Sequence, residues 1–167
     1  MIALATLLTL INQVAGTPYV PGGDTPAGTD CSGLASWVAN TATDRPTFGS
    51  RFNTGNEEAA LLQRGFQHGT APDALVIGWN GGHTAVTLPD GTAVSSGERG
   101  GVHIGGAGAY QRGFTHHMFL PVSADDAPPS PDDAAVLVDT VQPAPDSAPP
   151  APVTDPAPAP DAEIANT

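Results

Sequence analysis

The sequence predicts an α+β domain in which N-terminal helices pack on an antiparallel sheet, followed by an acidic, proline-rich tail. Three observations carry this expectation. Apolar residues recur at helical spacing in the first third of the chain, alternating and continuous apolar runs follow from Ala74, and large apolar residues nearly vanish after Pro121. A chain of 167 residues suits one domain with its own core, which places the domain at 1–121 and the tail at 122–167.

The first element is read from Leu4, Leu7, Leu8, Ile11 and Val14 or Ala15, whose spacing predicts an amphipathic helix over 2–15. No basic residue precedes this stretch, so it fits a first helix better than a signal peptide, and it is too short and polar to span a bilayer. Gly16 ends it, and the turn residues of 18–28 predict a loop. Thr29 or Asp30 then caps a second helix, with Leu34, Trp37 and Val38 as its apolar stripe, ending near Asn40. Residues 45–55 are loop-like, and 57–64 form a short helix.

From Ala74 the period changes to that of strands. Residues 74–79 and 83–88 are predicted as strands, and the second turns through Pro89, Asp90 and Gly91 into a third at 92–96. A three-residue loop with a left-handed Gly91 pairs Leu88 with Thr92 and Ala85 with Ser95. Residues 100–113 are too glycine-rich to assign, and 115–121 read as a closing strand. No internal repeat is present.

Charge narrows the function classes. Of the 17 acidic residues, nine lie from Val122 onward, leaving eight against five dispersed arginines in the domain. With no lysine and no basic stripe, nucleic-acid binding is not expected. Eleven prolines and nine like charges predict an extended, disordered tail whose one apolar island is 134–141.

The single cysteine excludes an intrachain disulfide, and with no second thiol a zinc site would need His and carboxylate ligands; no metal and no cofactor are expected. The commoner fate of a lone cysteine is burial as a small apolar residue. Cys31, however, falls in the first turn of the second helix, where free N–H groups and the helix dipole stabilise a thiolate. The same donors could serve a tetrahedral oxyanion. Among five histidines His83 is the best base, since it follows Gly81 and Gly82 and opens a strand with small neighbours. His68 is expected to be solvated, His116 and His117 face opposite ways, and His103 is the weakest rival. On the strand register Ser95 shares the face of His83 and is the expected orienter of its imidazole, with Glu98 or His103 next in line.

These residues resemble the NlpC family (NlpC/p60-like) of cell-wall cysteine peptidases, whose active-site region typically reads GTPYVWGG, a short spacer, then DCSG. Here residues 16–23 read GTPYVPGG and residues 30–33 read DCSG, while Pro72-Asp73-Ala74-Leu75 and Gly82-His83 match the family's later segment. The likeness covers about residues 3–121 and departs at Pro21, which stands where an aromatic is usual, and at Ser95, where His, Asn or Gln is usual.

The resemblance implies a papain-like core and a hydrolase acting on bacterial peptidoglycan at the cell wall, on the bond between D-glutamate and a diamino acid; a monomer is expected. It implies Cys31 as nucleophile, His83 as base, and Tyr19, Asp30 and Ser32 lining the substrate site. Two rival readings are a catalytically weak NlpC-like wall-binding module and an amidase acting on the muramoyl-L-alanine bond. The resemblance implies neither nucleic-acid nor membrane partners.

Overall fold

The computed structural model describes residues 3–121, all within one compact unit. The expected disordered tail and its apolar island at 134–141 lie outside the described residues.

Helix α1 spans Leu4–Val14 and buries Leu7, Leu10, Ile11 and Val14, one continuous face at spacings of three and four. Leu4 and Leu8, placed on this stripe by the sequence, pack at its edge and are only partly buried. Gly16, with φ of 81°, turns the chain out of the helix.

The segment 18–28, expected to be a plain loop, holds a small hairpin. Strands β1 (Asp24–Thr25) and β2 (Gly28–Thr29) pair antiparallel, with Asp24 opposite Thr29. Two residues per strand are too few for a periodic signal in sequence. The hairpin is fixed by tertiary bonds instead, since Trp37 Nε1 donates to Asp24 Oδ1 at 2.7 Å.

Helix α2 spans Cys31–Ala42, two residues beyond the expected end, and every residue of it is buried. Its apolar side packs on the sheet, and its polar side is satisfied by the loops that cover it. Ser36 Oγ accepts from the Phe52 N–H at 2.8 Å, and Asn40 Nδ2 donates to the carbonyls of Thr47 and Ser50 at 3.2 and 3.3 Å. Arg64 Nε closes the network on Asn40 Oδ1 at 2.9 Å. Ser36 and Asn40 thus recover the partners that water would have offered.

After the short helix α3 (Glu57–Leu62), the remaining strands form one sheet. They are β3 (Gln67–His68), β4 (Leu75–Trp79), β5 (Thr84–Thr87), β6 (Ala93–Ser96), β7 (Val102–Ile104) and β8 (His116–Leu120), in spatial order β3-β8-β4-β5-β6-β7. Every neighbouring pair is antiparallel. The fold is α+β, as expected, with α2 lying on β5 and β6 and α1 against α2. The core between them contains Ile11, Leu34, Trp37, Val38, Leu61, Ile77, Val86, Val94 and Met118.

The β5–β6 turn matches the expected geometry. Leu88 N–H donates to the Thr92 carbonyl at 2.8 Å, Gly91 has φ of 86°, and Ala85 pairs with Ser95. Two further strands escaped sequence reading. His68, placed in a polar loop, belongs to edge strand β3, and the glycine-rich segment contains β7 and a turn of 3₁₀-helix at Gly108–Tyr110.

Candidate active site

Asp30 organises the N-terminus of α2. Its Oδ1 accepts from Gly33 N–H at 2.8 Å, from Arg51 Nη2 at 2.7 Å and from Ser32 Oγ at 3.2 Å, while Oδ2 takes Gly22 N–H at 2.7 Å. Burial alone would raise its pKa. The two backbone donors and the Arg51 guanidinium outweigh that and hold the carboxyl below its usual range. Arg51 also donates to Ser32 Oγ at 3.1 Å.

The geometry explains why glycine stands at position 33. A Cβ there would lie 2.2 Å from Thr29 Oγ1 and 2.7 Å from the Gly23 carbonyl oxygen, so a side chain would push the hairpin off the helix. Because Asp30 occupies the Gly33 N–H and its carbonyl takes the Leu34 N–H, the Cys31 and Ser32 N–H groups are the first-turn donors left without intrahelical acceptors.

Cys31 is buried at the start of α2. Opposite it, His83 lies on the loop between β4 and β5, held by Asn80. The Asn80 Oδ1 accepts from the N–H groups of Gly82 and His83 at 2.9 and 3.0 Å, and Asn80 N–H donates to the His83 carbonyl at 3.0 Å. The pKa of His83 is raised, first by its hydrogen-bonding interaction with the Cys31 side chain. Partial burial opposes the rise, and Glu98 reinforces it. His83 Nε2 lies 3.2 Å from Glu98 Oε1, and the ring of Phe114 packs against the imidazole with centroids 5.8 Å apart. Gln111 Nε2 donates to the same Glu98 oxygen and restrains it.

Ser95 is placed differently from the sequence expectation. It is buried on β6, and its hydroxyl has no hydrogen-bond partner among the described residues. Strand β5 begins at Thr84, so His83 sits just outside the regular pleat whose alternation predicted a shared face with Ser95. Glu98, in the β6–β7 turn, meets the imidazole instead.

Tyr19 walls the cleft. It packs over Gly97, where a Cβ would stand 2.9 Å from the ring. Its pKa is raised by burial first and then by the charges of Cys31 and Asp30, which puts its phenol in the electrostatic reach of both. Tyr19, Gly82, His83, Ser96, Gly97 and Glu98 line a cavity of about 340 Å³. Among the described residues no group of three or more His, Cys, Asp or Glu side chains could hold a metal ion. No helix among them is long and apolar enough to cross a membrane.

Sequence reasoning missed three contributors. Arg51 lies in a segment read only as loop, Gln111 in the unassigned glycine-rich stretch, and Glu57 at the head of a helix with no sign of burial. Glu57 is wholly buried and hydrogen-bonded to Thr84, the residue after His83. No local pattern marks such roles, because each depends on what the folded chain brings from afar.

The fold and site together define an α+β domain with a cysteine at a helix N-terminus and a histidine on the loop that enters strand β5. No protein-family model and no curated protein matches the chain. Among solved structures it is similar to the crystal structure of the NlpC/p60 domain of peptidoglycan hydrolase SagA. The match covers 72% of this chain and 100% of that one, at 24% identity and a TM-score of 0.47.

Proposed function

We propose that the protein is a cysteine peptidase that hydrolyses a stem-peptide bond in bacterial peptidoglycan, the bond between D-glutamate and a diamino acid. One observation supports it most strongly. The chain's only cysteine opens a buried helix and interacts with a histidine whose ring also meets a carboxylate. The class of substrate follows from the GTPYV and DCSG resemblance.

In this reading His83 takes the Cys31 proton, and the thiolate attacks the scissile carbonyl. The helix N-terminus favours the thiolate, and the Cys31 N–H, free of an intrahelical acceptor, donates to the oxyanion of the tetrahedral intermediate. Collapse of that intermediate breaks the C–N bond, and imidazolium His83 protonates the leaving amine. Water, deprotonated by His83, then hydrolyses the thioester and restores Cys31. Glu98 orients the imidazole and favours its charged form, the role first assigned to Ser95. Tyr19 forms a wall for the stem peptide. Asp30 and Ser32 are engaged with each other and with Arg51, and they act by holding that wall and the head of α2 in place. The site of action is the bacterial cell wall.

The test is incubation of purified peptidoglycan with the protein and with its Cys31→Ala variant, followed by mass spectrometry of the soluble fragments. New stem-peptide termini only with the unaltered protein support the proposal. Equal digestion by both proteins, or by neither, would overturn it.

A further inference from the structure

Glu57 opens α3 with its side chain wholly buried, an unusual place for a carboxyl. Its Oε1 lies 2.7 Å from Thr84 Oγ1, and the same hydroxyl lies 3.1 Å from the Gly78 carbonyl oxygen. Thr84 has one hydroxyl proton and cannot give it to both. Were Glu57 an anion, two acceptors would compete for that proton, and Oε2, which is buried without a hydrogen-bond partner, would carry bare charge. A neutral acid resolves the conflict. It donates to Thr84 Oγ1, Thr84 donates to Gly78, and both short contacts become hydrogen bonds. Burial pushes the carboxyl up to about 8, against the opposing effects of the Thr84 hydrogen bond and the His83 charge.

Thr84 directly follows His83 and pairs with Trp79 in the β4–β5 register. Asn80 holds the backbone of His83 from within the loop, while Glu57 and the Gly78 carbonyl of β4 hold the side chain of the next residue, Thr84. Thr54, just before α3, adds a bond from its hydroxyl to the Gly81 carbonyl at 3.3 Å. The same short segment of chain therefore braces both sides of the base.

We propose that Glu57, as a neutral acid, is a positioning residue for His83, acting through Thr84 to fix the start of β5 and so the approach of the imidazole to Cys31. The inference rests on His83 acting with Cys31, as proposed above. Among the described residues, the groups facing the Glu57 carboxyl are the Thr84 hydroxyl of β5 and the titratable imidazole of His83 on the β4–β5 loop. When Glu57 ionises, it accepts the hydrogen bond of the Thr84 hydroxyl, Gly78 loses that donor, and the new anion favours the imidazolium form of His83. The pair should therefore change its reactivity as pH rises through about 8.

The experiment measures the rate at which iodoacetamide alkylates Cys31 in the full chain, from about pH 5 to about pH 10, where thiolate reactivity reports its surroundings. In Glu57→Gln the amide can donate to Thr84 as the acid does. Its rate near neutral pH should stay within about twofold of the unaltered protein, while the inflection near pH 8 disappears. Thr84→Val, which breaks the relay, should lower the neutral rate by about tenfold with a cooperative melt retained. Superimposable pH profiles for the unaltered protein and Glu57→Gln would overturn the proposal, as would full reactivity in Thr84→Val. Should Thr84→Val not fold, the Glu57→Gln profile alone decides. Alkylation needs no peptidoglycan. A protein that left walls intact yet showed the step would support the role of Glu57 while ending the hydrolase reading.

Discussion

The carboxylate that meets His83 comes from a turn and is partly open to water, with the Glu98 side chain 33% exposed. Its hold on the imidazole is therefore moderate, and Gln111 supplies the second restraint. Replacing Glu98 with Ala should lower kcat while leaving the fold intact, and should let His83 deprotonate at lower pH, because one cause of its raised pKa is gone. A histidine titration followed by NMR checks the direction. Ser95→Ala has the opposite expectation. The substitution removes a buried hydroxyl that has no partner, so stability should stay level or rise by up to about 1 kcal/mol and turnover should not fall. Steady-state kinetics and a thermal melt of this one variant separate Glu98 from Ser95 as the orienter. The helix start at Cys31 was legible in sequence from its capping chemistry, and His83, read there as opening a strand, lies one residue before it. The contact with Glu98 was only a second choice there, behind Ser95, since it depends on where a turn projects a flexible side chain.

At the scale of elements, the head of α2 depends on one side chain. Asp30 caps the helix, ties the 18–28 segment to it through Gly22, and neutralises the half-buried Arg51. Asp30→Ala should cost about 1–2 kcal/mol for the lost cap, and more for leaving Arg51 unpaired. Asp30→Asn, which keeps an acceptor but not the charge, should fall between. Denaturant midpoints of the two variants give the ranking, and equal stability of all three proteins would show that the cap is dispensable. The β5–β6 hairpin shows how far local chemistry reaches. Pro89, Asp90 and Gly91 specify their loop length and hence the Ala85–Ser95 pair, and the structure has that register. The β1–β2 hairpin and β7 lack such a local code, because their pairing is decided by Trp37 and by the neighbouring strand β6.

Over the whole molecule, two buried or half-buried groups tilt stability toward acid. Glu57 titrates near 4.5 when unfolded and near 8 when folded, so its contribution is full below about 4.5 and is lost as pH rises through about 8. The raised pKa of His83 acts in the same direction, from its ordinary 6.5 upward. Asp30 opposes them only at low pH, where its depressed pKa makes its contribution fade as the carboxylate is protonated below its ordinary 3.8. Melting temperature should therefore decline between about pH 5 and about pH 8, with Glu57 supplying up to about 1.4 kcal/mol per pH unit. Glu57→Gln should flatten this slope, and an unchanged slope would mean that Glu57 is ionised in the folded protein. The order of helices before strands was legible from periodicity alone, and so was the α+β class. The burial of Glu57 was not, because a carboxyl at the head of a short helix ordinarily faces water.

In the proposed reaction Cys31 attacks a stem-peptide carbonyl with His83 as its base. Its most direct measurement is mass spectrometry of the intact protein, acid-quenched during turnover of a soluble stem peptide, with the adduct then mapped by digestion. An acyl group equal to the N-terminal part of the peptide is expected on the fragment containing Cys31. That adduct should be lost in Cys31→Ala and strongly reduced in His83→Ala. Undiminished hydrolysis by Cys31→Ala, or an acyl group trapped on another residue, would contradict it.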